Sequence, residues 1–184
     1  AARVLASAGR DVRVFSLTDP SELEGDAHDV AVEAIQAGVP HEVIADEMPV
    51  HHLAGYAAVI DALLGIGATG ELRGLYVSAV TAINASGAHI VSVDVPTGVL
   101  CDTGAVPGIA VRADATITFS SLKAGIVLQP GASYAGDVVV SDVGVPREFV
   151  GERGDPEVWS AAQYRELLPT LQPDTYKNAR GRVM

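Results

Sequence analysis

A single cysteine, Cys101, is all the thiol chemistry this chain has. No intramolecular disulfide can form, which fits a reducing compartment and makes the cytoplasm the expected location. Positive charge is also scarce, with 12 Lys and Arg against 23 Asp and Glu, a formal net charge of -11 at pH 7. Such a surface repels phosphate backbones, and the basic residues cluster only near the end, at Lys177, Arg180 and Arg182. Nucleic acid is therefore not an expected partner. Aromatic residues make up only 5% of the chain, too few for a base-stacking platform. No apolar run reaches the roughly 18 residues of a membrane span, and the first residues lack the basic-then-apolar pattern of a secretory signal. No membrane association is expected.

What the chain does have is enough apolar mass, 48% of 184 residues, to bury one full core but not two. Nineteen glycines suit an α/β architecture, in which small residues let helices approach a sheet and turns are tight. Residues 1–10 read as the second half of a helix with Gly9 just past its end; because no capping residue precedes it, further sequence is expected before Ala1. Val12–Phe15 reads as a strand, followed by a Thr18-Asp19-Pro20 cap and a helix running to Gly38. His41–Ile44 is a short strand. The near-continuous apolar run 57–64 has the character of a parallel strand buried on both faces. A helix through Leu72, Leu75, Val80 and Ile83 ends near Gly87, and His89–Val93 forms the next strand. Residues 115–119 and 137–141 add strands separated by Gly125, Pro130, Gly131 and Gly136. The order βαβαβ followed by strands predicts a doubly wound, mostly parallel sheet with late strands added at an edge. Residues 148–156 are polar and read as a linker, 160–168 as a short amphipathic helix, and 169–174 as its break.

Candidate chemistry gathers where strands end. Val91-Ser92-Val93-Asp94-Val95-Pro96-Thr97-Gly98, followed by Cys101-Asp102-Thr103-Gly104, delivers a carboxylate from an apolar strand into a turn. In α/β proteins this carboxyl edge is where ligands bind. Asp61 ends the preceding strand, and a right-handed crossover would bring the two carboxylates to one edge. Close carboxylates repel unless a cation or a shared proton intervenes, and the Thr97 hydroxyl and turn carbonyls are hard oxygen donors for a cation. A plain turn cap remains an alternative for Asp61.

Gly65-Ile66-Gly67-Ala68-Thr69-Gly70 fits G-x-G-x-x-G between a strand and a helix, with Asp94 near the position of a ribose-binding acid. A dinucleotide dehydrogenase would use such a turn, but an earlier βα unit lies upstream and that acid is not ordinarily followed by Pro-Thr-Gly. The glycines could still let backbone N–H groups approach a phosphate at a helix N-terminus, or serve chain geometry alone. Lys123 follows a strand in an acidic protein and could meet a phosphate, pair with a carboxylate, or be solvated. His51-His52 reads as an exposed loop pair, and Cys101 as inert for want of an activating base.

Across most of residues 1–146 the sequence resembles the NAD(P)HX epimerase family, which interconverts the S and R forms of hydrated nicotinamide cofactors. Asp61-Ala62-Leu63-Leu64-Gly65-Ile66-Gly67 is similar to the family's D-A-L-F-G-T-G, and Val93-Asp94-Val95-Pro96-Thr97-Gly98 with Asp102-Thr103-Gly104 to its V-D-I-P-S-G and D-T-G. Ala113-Asp114-Ala115-Thr116 through Lys123-Ala124-Gly125 extends the likeness. The resemblance implies a Rossmann-like three-layer α/β/α fold over residues 1–150, then a linker and short helix over 151–173. Residues 174–184 resemble the opening of a fused ATP/ADP-dependent dehydratase domain.

It further implies a potassium ion held by Asp61 and Thr97, with Thr97 standing for the usual serine. Substrate would lie along Gly65, Ile66, Gly67, Ala68, Thr69, Gly70 and Glu71, with Asp94 binding it. Argued from the chemistry itself, a fixed carboxylate would stabilise the iminium-like cation left when the hydroxyl departs, which makes Asp94 the expected catalytic group and Lys123 its assistant. The family's Asn-Asn-Gly-Gly-Asp loop would precede Ala1. NADHX or NADPHX is the implied substrate and a homodimer the implied assembly. The rival expectation is a non-catalytic nucleotide-binding or assembly module serving a fused domain.

Overall fold

Strands form where β-branched residues alternate or cluster, and all of them run parallel. In the computed structural model, which describes residues 1–146 and 158–167, the chain divides into two units, Ala1–Pro146 and Arg147–Met184. The first unit contains helix α1 (Ala2–Ser7), strand β1 (Val14–Ser16), a 3-10 turn (Pro20–Glu22), helix α2 (Gly25–Gln36) and strand β2 (His41–Val43). Strand β3 (Ala58–Asp61), helix α3 (Leu75–Ala85) and strand β4 (His89–Val93) follow. Strand β5 (Ala115–Phe119), two further 3-10 turns (Ala124–Ile126 and Gly131–Tyr134) and strand β6 (Asp137–Ser141) complete it. β1 pairs with β2, and the other four strands form one sheet in the order β3-β4-β5-β6. This is the expected Rossmann-like α/β arrangement, with β5 and β6 added on one side.

Two expectations about element shape need correction. The first long helix is broken: Asp19 Oδ1 accepts the Ser21 backbone N–H at 2.9 Å and its hydroxyl at 2.7 Å, capping only a 3-10 turn. Leu23 then returns to extended geometry, and α2 starts afresh at Gly25. The apolar run 57–64 yields a strand of only four residues, and it is not buried on both faces. β3 lies at the edge of its sheet, Ile60 is 44% exposed, and the chain leaves the ladder at Asp61, whose carboxylate turns toward the following backbone.

α3 carries the apolar positions that seal the buried face. Ala79, Val80, Ala82 and Ile83 are all buried and pack with Ile90 of β4, Val111, Ile44, Met48 and Leu53. Helical spacing places these side chains on adjoining turns, and Gly87, at φ 71°, ends the segment in the left-handed geometry that glycine adopts without strain. A second cluster of Val95, Val99, Ala110, Ile126 and Ala135 lies beneath the turn that follows β4. Asp114 fixes the register between these layers. Its Oδ2 accepts the Ile90 N–H at 2.7 Å, and its own N–H donates to the Ile90 carbonyl at 2.8 Å.

In the second unit, α4 (Ala161–Leu167) is the expected short helix. Ser160 and Gln163 form a reciprocal capping box: Ser160 N–H donates to Gln163 Oε1 at 2.7 Å, and Gln163 N–H to Ser160 Oγ at 3.3 Å. The expected linker 148–156, helix break 169–174 and domain opening 174–184 lie outside the described residues. No helix among the described residues is long and apolar enough to cross a membrane.

If α3 is the keystone of the buried face, Ile83→Ala should lower unfolding free energy by about 2–5 kcal/mol, whereas Val30→Ala, at a position 61% exposed on α2, should change it little. Equilibrium urea denaturation of the two variants measures the contrast.

Candidate functional site

Parallel pairing of β3 with β4 sets Asp61 opposite Ser92, so the ends of the two strands open on one edge, as the right-handed crossover through α3 predicts. The turn after β4 is the most enclosed loop of the unit: Val95, Pro96, Thr97, Gly98 and Val99 are all buried. Gly98 makes this possible. Its φ is 97°, and a Cβ there would sit 2.8 Å from the Ala110 Cα, so only glycine lets the two segments touch.

Asp61 is 1% exposed and enclosed by donors. Its Oδ2 accepts from Ser92 Oγ at 2.8 Å and Thr97 N–H at 2.9 Å, and its Oδ1 from Thr97 Oγ1 at 2.7 Å. The Leu63 N–H adds a longer contact of 3.4 Å. Thr97 Oγ1 in turn accepts the Leu64 N–H at 3.1 Å and lies 3.4 Å from the Leu64 carbonyl. Carboxylate, hydroxyl and carbonyl oxygens thus meet at one buried point, and the carboxylate has no cationic side chain on it among the described residues. Asp61 is more than a turn cap, because it ties β3 to the turn after β4.

Asp94 is built differently. Its φ of 71° is unusual for a residue other than glycine and costs about 1–3 kcal/mol. The backbone is held there by its N–H, which donates to the Ile117 carbonyl at 2.7 Å, and by the Val95 N–H, which donates to the Val93 carbonyl at 3.0 Å. Oδ1 pairs with Lys123 Nζ at 2.9 Å and receives a longer contact from Thr118 Oγ1 at 3.4 Å. Lys123 also donates to the Phe119 carbonyl at 2.6 Å, and both members of the pair are only about 15% exposed. Of the alternatives open for Lys123, the structure selects pairing with a carboxylate. Asp61 and Asp94 therefore have separate side-chain and backbone partners among the described residues.

The glycine run departs from a dinucleotide fingerprint. Only Gly70 has a positive φ, and α3 begins at Leu75 behind Glu71–Arg73, which belong to no helix or strand, so the run does not open directly onto a helix N-terminus. Instead, the Ala68 N–H closes a turn onto the Gly65 carbonyl at 3.1 Å. Gly65 lies against the acid: a Cβ there would be 3.2 Å from Asp94 Oδ2. Farther on, Ala68, Thr69, Gly70 and Glu71 line a cleft of about 410 Å³ that continues to Arg73 and Tyr76. Ile66 points outward, 60% exposed.

Ser92, Thr118 and the Leu64 carbonyl complete these networks but carry no motif signal. Ser92 could be found only from its strand alternation relative to Asp94, and the carbonyl only from the fold. His52 pairs with Glu42, Nε2 to Oε1 at 3.2 Å, and stacks edge-on to Phe15. Among the described residues no group of three or more His, Cys, Asp or Glu side chains is placed to hold a metal ion.

Residues 1–125 match the family described as YjeF-related protein N-terminus. The NAD(P)H-hydrate epimerase of Pirellula staleyi is 42% identical over 82% of this chain and 68% of its own length. The bifunctional NAD(P)H-hydrate repair enzyme Nnr of Thermofilum pendens is 37% identical over the whole of this chain. The chain spans about a third, 35%, of that relative's length. The crystal structure of yeast ynu0 superposes with a TM-score of 0.64 at 20% identity, covering 80% of this chain and 61% of the yeast chain, which shows a shared fold.

Cys101 borders this site, and its thiol is pushed up by burial first, then by the Asp102 and Asp94 carboxylates. Thiolate is the reactive form, so iodoacetamide at pH 8 should label Cys101 more slowly than a free cysteine. Asp102→Asn removes one negative neighbour, lowers the thiol pKa and should speed labelling; mass spectrometry over time reads both rates.

Proposed function

The chain belongs to the YjeF-related protein N-terminus family, and from that premise we propose that it epimerises the hydrate of NADH or NADPH, with Asp94 as the catalytic residue. One observation supports this above others: a carboxylate held in left-handed geometry, oriented by Lys123, with its second oxygen beside the Gly65 backbone at the start of the loop whose residues 68–71 line the cleft. Strained backbone at residues other than glycine collects at functional sites, and this one lies at the carboxyl end of a parallel strand, where α/β sheets bind ligands.

The chemistry follows from charge. Inverting the carbinol carbon of a hydrated dihydropyridine proceeds when its C–O bond breaks and the ring nitrogen lone pair forms a C=N bond, leaving an iminium cation. Water then adds to the opposite face. One proton is consumed as the hydroxyl departs as water, and one is released as the second water adds, so the cycle is proton-neutral. Asp94 supplies a fixed negative charge against the cation and handles the proton through its open oxygen. Lys123 is a positioning residue: bonded to Asp94 Oδ1 and the Phe119 carbonyl, it fixes the carboxylate's direction. Glycines 65, 67 and 70 leave room for substrate to lie against the loop backbone as far as Glu71.

Potassium belongs to the same proposal. Its donors would be the Asp61 carboxylate, the Thr97 hydroxyl and the Leu64 carbonyl, hard oxygens suited to an alkali cation. A buried carboxylate without a cationic partner fits such an ion. When bound, potassium supplies positive charge under the substrate loop. The wider assignment is a cytoplasmic homodimer in which residues 1–150 form the epimerase domain, 151–173 a linker and 174–184 the start of a fused dehydratase domain; the bifunctional relative of the whole chain supports the fusion.

Chiral separation of S and R NADPHX, following approach to equilibrium, tests the assignment of Asp94. Asp94→Asn should slow epimerisation by at least about 100-fold with folding intact; an unchanged rate removes Asp94 from the chemistry. Substrate binding without epimerisation by the wild-type protein would instead favour a nucleotide-binding module.

A separate comparison addresses the cation. Thr97→Ser should keep potassium stimulation and Thr97→Val should lose it, with thermal melting to verify that both are folded. Equal stimulation in both would exclude the Thr97 hydroxyl as a ligand.

A further inference from the structure

The cleft beyond Glu71 holds a positive charge that the chemistry at Asp94 does not use. Six basic residues lie in the first 146 positions: Arg3, Arg10, Arg13, Arg73, Arg112 and Lys123. Arg3 pairs with Glu33, Arg13 with Glu42 and Lys123 with Asp94, and Arg112 lies 4.6 Å from the centre of the Tyr134 ring. Arg10 sits in the segment between α1 and β1, ahead of that strand and not after its carboxyl end, and does not line the cleft. Arg73 alone lines the cleft, and among the described residues its guanidinium makes no ion pair and no side-chain hydrogen bond.

A chain with a net charge of -11 presents a repulsive field to an anionic substrate, and a local cation must offset it. A guanidinium suits this purpose because its planar donors match phosphate oxygens in pairs. The loop 65–71 runs from Asp94, where Gly65 touches the carboxylate, to Thr69, Gly70 and Glu71 on the cleft wall, with Arg73 two residues on. A dinucleotide whose reacting ring sits at Asp94 would carry its phosphates along that loop to the cleft. We propose that Arg73 binds a phosphate of the substrate and sets affinity for it. This rests on the epimerase reading for the identity of the substrate, but not for the phosphate chemistry of the cleft.

The test compares wild type, Arg73→Ala, Arg73→Lys and, as a control for net charge, Arg10→Ala in the full-length protein, with epimerisation of NADHX and NADPHX followed separately. Arg73→Ala should raise KM by about tenfold with kcat little changed, Arg73→Lys should recover part of the loss, and Arg10→Ala should resemble wild type. An equal rise for both substrates identifies the pyrophosphate they share as the contact. A rise for NADPHX alone identifies the 2′-phosphate.

An unchanged KM for both substrates in folded Arg73→Ala overturns the proposal. So does an equal rise in the Arg10 variant, which would mean net charge alone. If the wild-type protein epimerises neither substrate, the functional reading fails, and calorimetric titration with NAD+ and NADP+ still decides this one. Weaker binding on loss of Arg73 upholds it, and unaltered or undetectable binding to both proteins rejects it.

Discussion

The buried carboxylate of Asp61 is the knot on which the site depends. Three short hydrogen bonds join it to Ser92 and to the backbone and hydroxyl of Thr97, so the end of β3, the middle of β4 and the turn beyond β4 meet on one pair of oxygens. Removing a carboxylate from water costs several kcal/mol unless such donors replace its hydration. Here the donors come from segments more than thirty residues away in sequence, and the same bonds that offset desolvation set the spacing of the two strand ends. Thr97, held this way, brings Gly98 against Ala110 and lets the second apolar cluster close beneath the turn.

Asp94 draws on that rigidity. A left-handed backbone at a residue with a Cβ persists only where its neighbours hold it, and here they do so through the Ile117 carbonyl on one side and the enclosed turn 95–99 on the other. Lys123 completes the arrangement from β5's side of the sheet, its amine shared between a backbone carbonyl and the carboxylate. The two acids thus divide the work. One is buried and held by neutral donors from β4 and the turn beyond it; the other is partly exposed, paired with lysine on one oxygen, with no hydrogen-bond partner on its second oxygen among the described residues. The chemistry proposed at this strand end rests on the open oxygen of that second acid and not on its sequence context.

Much of the fold was legible from pattern. Parallel strands at 89–93, 115–119 and 137–141, the helix through Val80 and Ile83, and the turn glycine after it are written in local periodicity and punctuation. Two boundaries were not. Residues 57–64 are apolar enough for a longer buried strand, but hydropathy cannot tell an edge strand from a central one; β3 has a neighbour on one side only. The helix expected from Pro20 onward breaks because Asp19 spends its carboxylate on Ser21, a two-residue contact that competes with helix propagation and leaves no periodic trace. At the site, Asp61, Asp94 and Thr97 stand out as polar groups at strand ends. Ser92, Thr118 and the Leu64 carbonyl do not, because each acts through a partner supplied by another strand or turn.

By itself the sequence determined the class of fold, the family and the residue types at the sheet's edge, since all three depend on short-range order along the chain. Tertiary structure decided which partner each charge takes. Lys123 could have been solvated or met a phosphate, and the glycine run could have opened a helix for a dinucleotide; the distances instead assign the lysine to Asp94 and place Glu71–Arg73 between the glycines and α3. The reason is physical. Hydrogen bonds and ion pairs act over about 3–4 Å, a range that chain separation of thirty residues leaves undefined until the strands pair in register.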